Sequence, residues 1–168
     1  MTPMLFTASR LAMCVAVAML VAFMSGAQAQ ISNFTPAEKA QLKSYALDAG
    51  KVTRYITALN ALAMAKRSDQ QIAREYEQME NEAATSRLVD MRSAYGRHPR
   101  IFAFFQRQNL TVDDAVVLPL AVVMAGFAST APGQMADTVS PAQLDFVRAN
   151  GPLMERFQQA TSALEGSR

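Results

Sequence analysis

The sequence predicts an all-α protein, a single helical-bundle-like domain of five to seven helices behind an N-terminal signal peptide. Three observations carry that expectation. Helix-start signals recur along the chain: Thr35-Pro36-Ala37-Glu38, Ser68-Asp69-Gln70-Gln71, Thr111-Val112-Asp113-Asp114 and Ser140-Pro141-Ala142-Gln143. Between them, apolar residues return at helical rather than alternating spacing. Residues 115–128 carry no charge and almost no polarity, which reads as a helix buried in a core.

The 168 residues are about one domain's worth. Residues 1–29 read as a secretory signal peptide, with Arg10 as the positive flank and residues 11–24 as a short apolar region. Ala27-Gln28-Ala29 supplies the small-x-small signal. Cleavage is expected after Ala29, which leaves residues 30–168 as an exported helical domain, periplasmic or secreted. The chain's single cysteine, Cys14, falls inside that leader. A cleaved product therefore has no disulfide, thiolate metal site, cysteine nucleophile or covalent c-type haem.

The 16 Lys and Arg residues, of which Arg10 belongs to the leader, nearly balance the 14 Asp and Glu residues. That balance gives no electrostatic case for nucleic acid, which calls for a clearly basic domain. No transmembrane segment is expected after the leader, because the apolar run at 115–128 is shorter than a bilayer span.

The elements follow in order. Thr35 caps a helix that has proline at its first position and carries Leu42, Tyr45, Ala46 and Ala49 at helical spacing, with Gly50 as its expected stop or kink. A second helix is expected over residues 51–66, its stripe being Val52, Tyr55, Ile56, Leu59, Leu62 and Ala63, with Lys66 and Arg67 at the dipole-favoured end. From Ser68 a long polar helix is expected to run to Tyr95, acidic first and basic last. Gly96 ends it.

His98-Pro99 opens a short helix to about residue 108, in which Ile101, Phe104, Phe105 and Gln108 share a stripe that Phe102 widens. Thr111, Asp113 and Asp114 start the apolar helix. There Val112, Val116, Pro119, Leu120, Val123 and Phe127 make a bulky face, and Ala121, Ala125 and Ala128 a small one. Pro119 removes one backbone hydrogen bond and predicts a kink near residues 115–118. A loop around Pro132-Gly133 leads to two last helices, one capped by Ser140 and one opened by Pro152.

Candidate chemistry is sparse. His98 is the only histidine, and no nucleophile or orienting acid stands at a recognisable spacing from it. Zinc needs several nitrogen or sulfur ligands, so no metal site is expected. Glu75, Glu77, Glu80 and Glu82 lack the Glu-x-x-His pattern of carboxylate-bridged metal sites and read as a solvated helix face. Arg87, Arg92, Arg97, Arg100 and Arg107 are denser than elsewhere. Of these, Arg100 and Arg107 lie seven residues apart beside Phe104 and suit an anionic head group. Phe102, Phe105 and Phe127 are the candidate tail contacts.

The segment from His98-Pro99 through Leu110-Thr111-Val112-Asp113-Asp114 and the Ala-rich apolar helix resembles small exported helical proteins of Gram-negative bacteria. The likeness covers about thirty residues, and it implies export and a helical fold but no activity. The sequence therefore points to an exported helical binding module for an apolar or amphiphilic ligand, with no cofactor. The alternative is a protein–protein interaction or chaperone-like factor of the envelope. An enzyme is the least expected outcome.

Overall fold

The computed structural model describes residues 34–83, 87–131 and 135–166. The signal-peptide expectation lies outside them. Among the described residues all regular structure is helical, in eight helices: α1 (Pro36–Ser44), α2 (Ala49–Ser68), α3 (Gln70–Ala83), α4 (Leu88–Arg97), α5 (Pro99–Gln106), α6 (Val112–Thr130), α7 (Pro141–Ala149) and α8 (Gly151–Glu165).

The expected capping boxes form at three of the four sites. Thr35, Thr111 and Ser140 each accept the amide three residues on, while Glu38, Asp114 and Gln143 reach back to the cap's own N–H. The fourth shifts by one residue. Ser68 closes α2, and Asp69 starts α3, its Oδ1 accepting from the amides of Gln71 at 2.8 Å and Ile72 at 3.3 Å.

Two boundaries differ from expectation, and local chemistry explains both. Gly50 neither stops nor kinks a helix. Asp48 accepts the Lys51 amide at 2.8 Å, so α2 begins at Ala49 and Gly50 sits in its first turn. The single polar helix expected from Ser68 to Tyr95 is two helices, which raises the count from at most seven to eight. Asp90 accepts the Arg87 amide at 3.3 Å and so builds a second N-terminus inside that stretch. The short helix α5 ends where Asn109 turns to φ 55°, a left-handed conformation that asparagine tolerates. That turn brings the Leu110 amide back to the Phe105 carbonyl at 3.2 Å.

The hydrophobic core is organised around α2 more than around α6. α2 packs against α8, α3, α5 and α6. Its Val52, Tyr55, Ile56, Leu59 and Leu62 meet Ile72 and Met79 of α3, Ile101 and Phe105 of α5, Leu118 and Val122 of α6, and Phe157 and Leu164 of α8 in one cluster. Full burial of such side chains stabilises by about 1.5–3 kcal/mol each. Lys66, expected only to favour its own helix end, is buried. Its Nζ donates to the Leu164 carbonyl of α8 at 3.0 Å and lies 4.2 Å from the centre of the Tyr76 ring.

α6 packs on α7, α4 and α1 as well as α2. At 19 residues it is longer than the charge-free run inside it, and by length and composition alone it could cross a membrane, a test that the core helix of a globular protein also passes. Here it is a core helix, with 56% of the apolar window buried by its neighbours. The helix continues without a break past Pro119.

Candidate binding surface

The sequence-predicted site splits when folded. Phe105 is 1% exposed in the central cluster, between Tyr55 at 5.3 Å and Tyr95 at 5.5 Å between ring centres. It holds α5 in place and faces no solvent. Phe102 is half-buried, with its ring edge-on to Tyr95 at 5.9 Å. At about 100° per residue, Phe102 lies on one flank of the buried Ile101–Phe105 line, while Phe104, Arg100 and Arg107 lie on the other. The proposed tail and head contacts of α5 therefore face different ways.

The two arginines also part company. Arg100 is engaged by α3, its guanidinium 3.6 Å from Asp69 Oδ2 and 3.6 Å from Glu75 Oε2. Arg107 is exposed and rests over the Phe104 ring, 5.4 Å from its centre, as the sequence placed it. Phe127 stands on α6. Among the described residues it belongs neither to the central cluster nor to the half-buried side chains packed on it.

The glutamates of α3 are more engaged than a solvated face. Glu75 and Glu82, seven residues apart and so on one side of the helix, bracket His98 at the α4–α5 corner. The imidazole Nε2 lies 3.3 Å from Glu82 Oε1 and Nδ1 lies 4.0 Å from Glu75 Oε1. Arg97 completes the set, 2.7 Å from Glu82 Oε2, and its hydrogen bond holds the Glu82 carboxyl below the usual glutamate range. Glu80 lies beside the Tyr76 hydroxyl, and burial followed by that carboxylate pushes the phenol upward. Among the described residues, no group of three or more histidine, cysteine, aspartate or glutamate side chains is placed to hold a metal ion.

A second polar joint escaped the sequence. Asp114, buried at the start of α6, accepts four hydrogen bonds: Tyr45 Oη at 2.6 Å and Lys51 Nζ at 2.8 Å on Oδ1, and the Thr111 amide at 3.0 Å and hydroxyl at 2.8 Å on Oδ2. Burial alone would raise its affinity for a proton. The Lys51, Tyr45 and Thr111 donors outweigh that and hold the carboxyl well below the usual aspartate range. The capping box at Thr111 marked Asp114, but nothing local announces partners 63 and 69 residues away.

The surface with the clearest binding character is the outer side of α6. Ala121, Ala125 and Ala128 are buried, so the small face turns inward. Of the bulky face only Val116 is buried; Val112, Pro119, Leu120, Val123 and Phe127 are half-buried, and of these Val123 packs on the central cluster. At about 100° per residue these five fall within a sector of about 100°. No charged residue interrupts them between Asp114 and Thr130.

Comparison with known protein families, with curated proteins and with solved structures finds no match for this chain. Among the described residues, the fold and surface define a class: an all-α helical protein whose most apolar helix leaves Pro119, Leu120, Val123 and Phe127 half-buried.

Proposed function

We propose that this protein is an exported helical adaptor that docks an amphipathic partner helix along the outer side of α6. One observation carries the reading, the row of Val112, Pro119, Leu120, Val123 and Phe127 left half-buried on a helix whose small residues point inward. From residue 112 to 127 the row runs about 22 Å, four helical turns. That length suits a partner helix presenting apolar residues at i, i+3, i+4 and i+7. The leader-like residues 1–29 support export, which makes the partner an envelope or secreted protein. The reading is one of binding and involves neither catalysis nor a cofactor. The single histidine stands between two carboxylates of α3 rather than beside a nucleophile.

The test is a photoreactive phenylalanine analogue at position 120, followed by crosslinking in intact cells. A discrete protein adduct that disappears with Phe127→Asp is the expected result. A folded, exported protein that yields no adduct at 120 or 127 would overturn it.

A second reading has its own observation. The exposed Arg107 guanidinium over Phe104 suits the head group of an amphiphile, with Phe104 taking the first part of the tail. Native mass spectrometry of delipidated protein with dodecyl phosphate checks it. Binding that Arg107→Gln abolishes and Leu120→Asp spares is the expected signature; equal binding by Arg107→Gln and the parent chain would remove this reading.

A further inference from the structure

We infer that α1 is a displaceable strap, which lifts as a unit while the rest of the fold stays closed. The helix is nine residues long, and Leu42 is its only buried residue. Its other attachments are polar and arrive from several elements. Lys39 Nζ pairs with Asp137 at 2.8 Å, and Lys43 Nζ donates to the Ala136 carbonyl at 2.6 Å, both in exposed positions. The Leu88 amide at the start of α4 donates to Glu38 Oε1 at 2.9 Å. Just beyond the helix, Tyr45 reaches Asp114 at the start of α6.

The strongest attachment comes from α7. Gln143 is fully buried, its Oε1 accepting the Ser140 amide at 2.9 Å. Its Nε2 donates to the carbonyls of Leu42 and Tyr45, each at 2.8 Å, so the C-terminal end of α1 is capped by a side chain from another helix. The starts of α4, α6 and α7 thus hold α1 mainly through hydrogen bonds that water can replace, whereas α2 and α6 bury whole apolar faces. Opening is easiest where the fewest apolar contacts must break. Lifting α1 uncovers the Tyr45–Lys51–Asp114 joint and the first turn of α6. This inference does not depend on what the outer side of α6 binds.

Amide hydrogen exchange of the full chain, read by mass spectrometry, tests it. Amides 39–45 should exchange on the order of 100-fold faster than those of α2 and α8, and their rate should barely respond to low urea, the mark of a local opening. Gln143→Ala should accelerate amides 39–45 about tenfold further and leave α8 unchanged. If that variant does not fold, Lys43→Met gives a smaller acceleration, roughly threefold, confined to the same amides. Exchange of α1 at the same rate as α2 and α8 in the parent chain overturns the inference, as does equal acceleration of every helix in a folded variant.

Discussion

Replacing Asp114 with asparagine keeps the shape of the side chain and removes its charge, which isolates the four-donor joint at the start of α6. The carboxylate takes Tyr45 and Lys51 on one oxygen and the Thr111 amide and hydroxyl on the other. An asparagine offers one oxygen and one NH2 group. With its oxygen toward Tyr45 and Lys51, the NH2 meets the Thr111 amide donor to donor. Turned over, it meets the Lys51 ammonium. Lys51 is 38% exposed and can rehydrate, so the second arrangement costs less: the Thr111 amide keeps an acceptor, and the Lys51 bond is the main loss.

Losing charge-assisted bonds of about 1.5–3 kcal/mol each, partly recovered by water at Lys51, gives a destabilisation of about 2–3 kcal/mol for Asp114→Asn at neutral pH. At about 3–4 °C per kcal/mol that lowers Tm by roughly 10 °C. The pH dependence has a defined sign. The folded carboxyl is held below its unfolded value of 3.8, so its stabilisation is complete above that pH and drains away as pH falls toward the depressed folded value. By pH 3 the parent chain should have lost about 1 kcal/mol that the variant never had, and the gap between them should narrow by that amount. Urea unfolding of both proteins at pH 7 and pH 3 measures it. A gap below about 1 kcal/mol at pH 7, or one that does not change at pH 3, would refute the reasoning.

Other perturbations separate the roles of neighbouring residues. Phe105→Ala should cost about 3–5 kcal/mol in urea unfolding, because the ring is fully buried between Tyr55 and Tyr95. A cost under about 2 kcal/mol would mean that α5 is not anchored there. At Asn109, with φ 55°, Asn109→Gly should leave stability unchanged or slightly raised, and Asn109→Val should lower it by about 1–2 kcal/mol in thermal melts. On α6 the two faces should respond unequally. Ala121→Leu should overpack the inner face and cost about 1–3 kcal/mol, whereas Ala substitution at Leu120 should cost about 1 kcal/mol or less and weaken partner crosslinking instead.

Most of the fold was legible because its signals are local. A cap hydroxyl, a proline one residue later and a returning carboxylate or amide act within one turn, so Thr35, Thr111 and Ser140 mark their helices without reference to the rest of the chain. The errors arose where two such signals competed. Asp48 caps the amide of Lys51 and so draws Gly50 into a first helical turn, and Asp69 displaces Ser68 as a cap because a carboxylate accepts the first amides of a helix more strongly than a hydroxyl does. The candidate site was legible only in part. Periodicity placed Arg107 against Phe104 and sorted α6 into two faces, but it could not say which face the core would take. Close packing chose the alanines. Nor could spacing reveal that Arg100 is claimed by Asp69 and Glu75, because that depends on how α5 meets α3.

The pairing of α2 with α8 bears on the order in which this chain can mature. The helix at the centre of the core finds its most extensive partner in residues 151–165, and Lys66 closes on a carbonyl 98 residues further along. Until residues 151–165 are available, Tyr55 lacks the Phe157 ring that stacks on it at 5.8 Å, and closing so long a loop is slow compared with making local helices. A chain built this way closes its core only once residues 151–165 can dock on α2, so whatever handles it earlier meets an open α2 face.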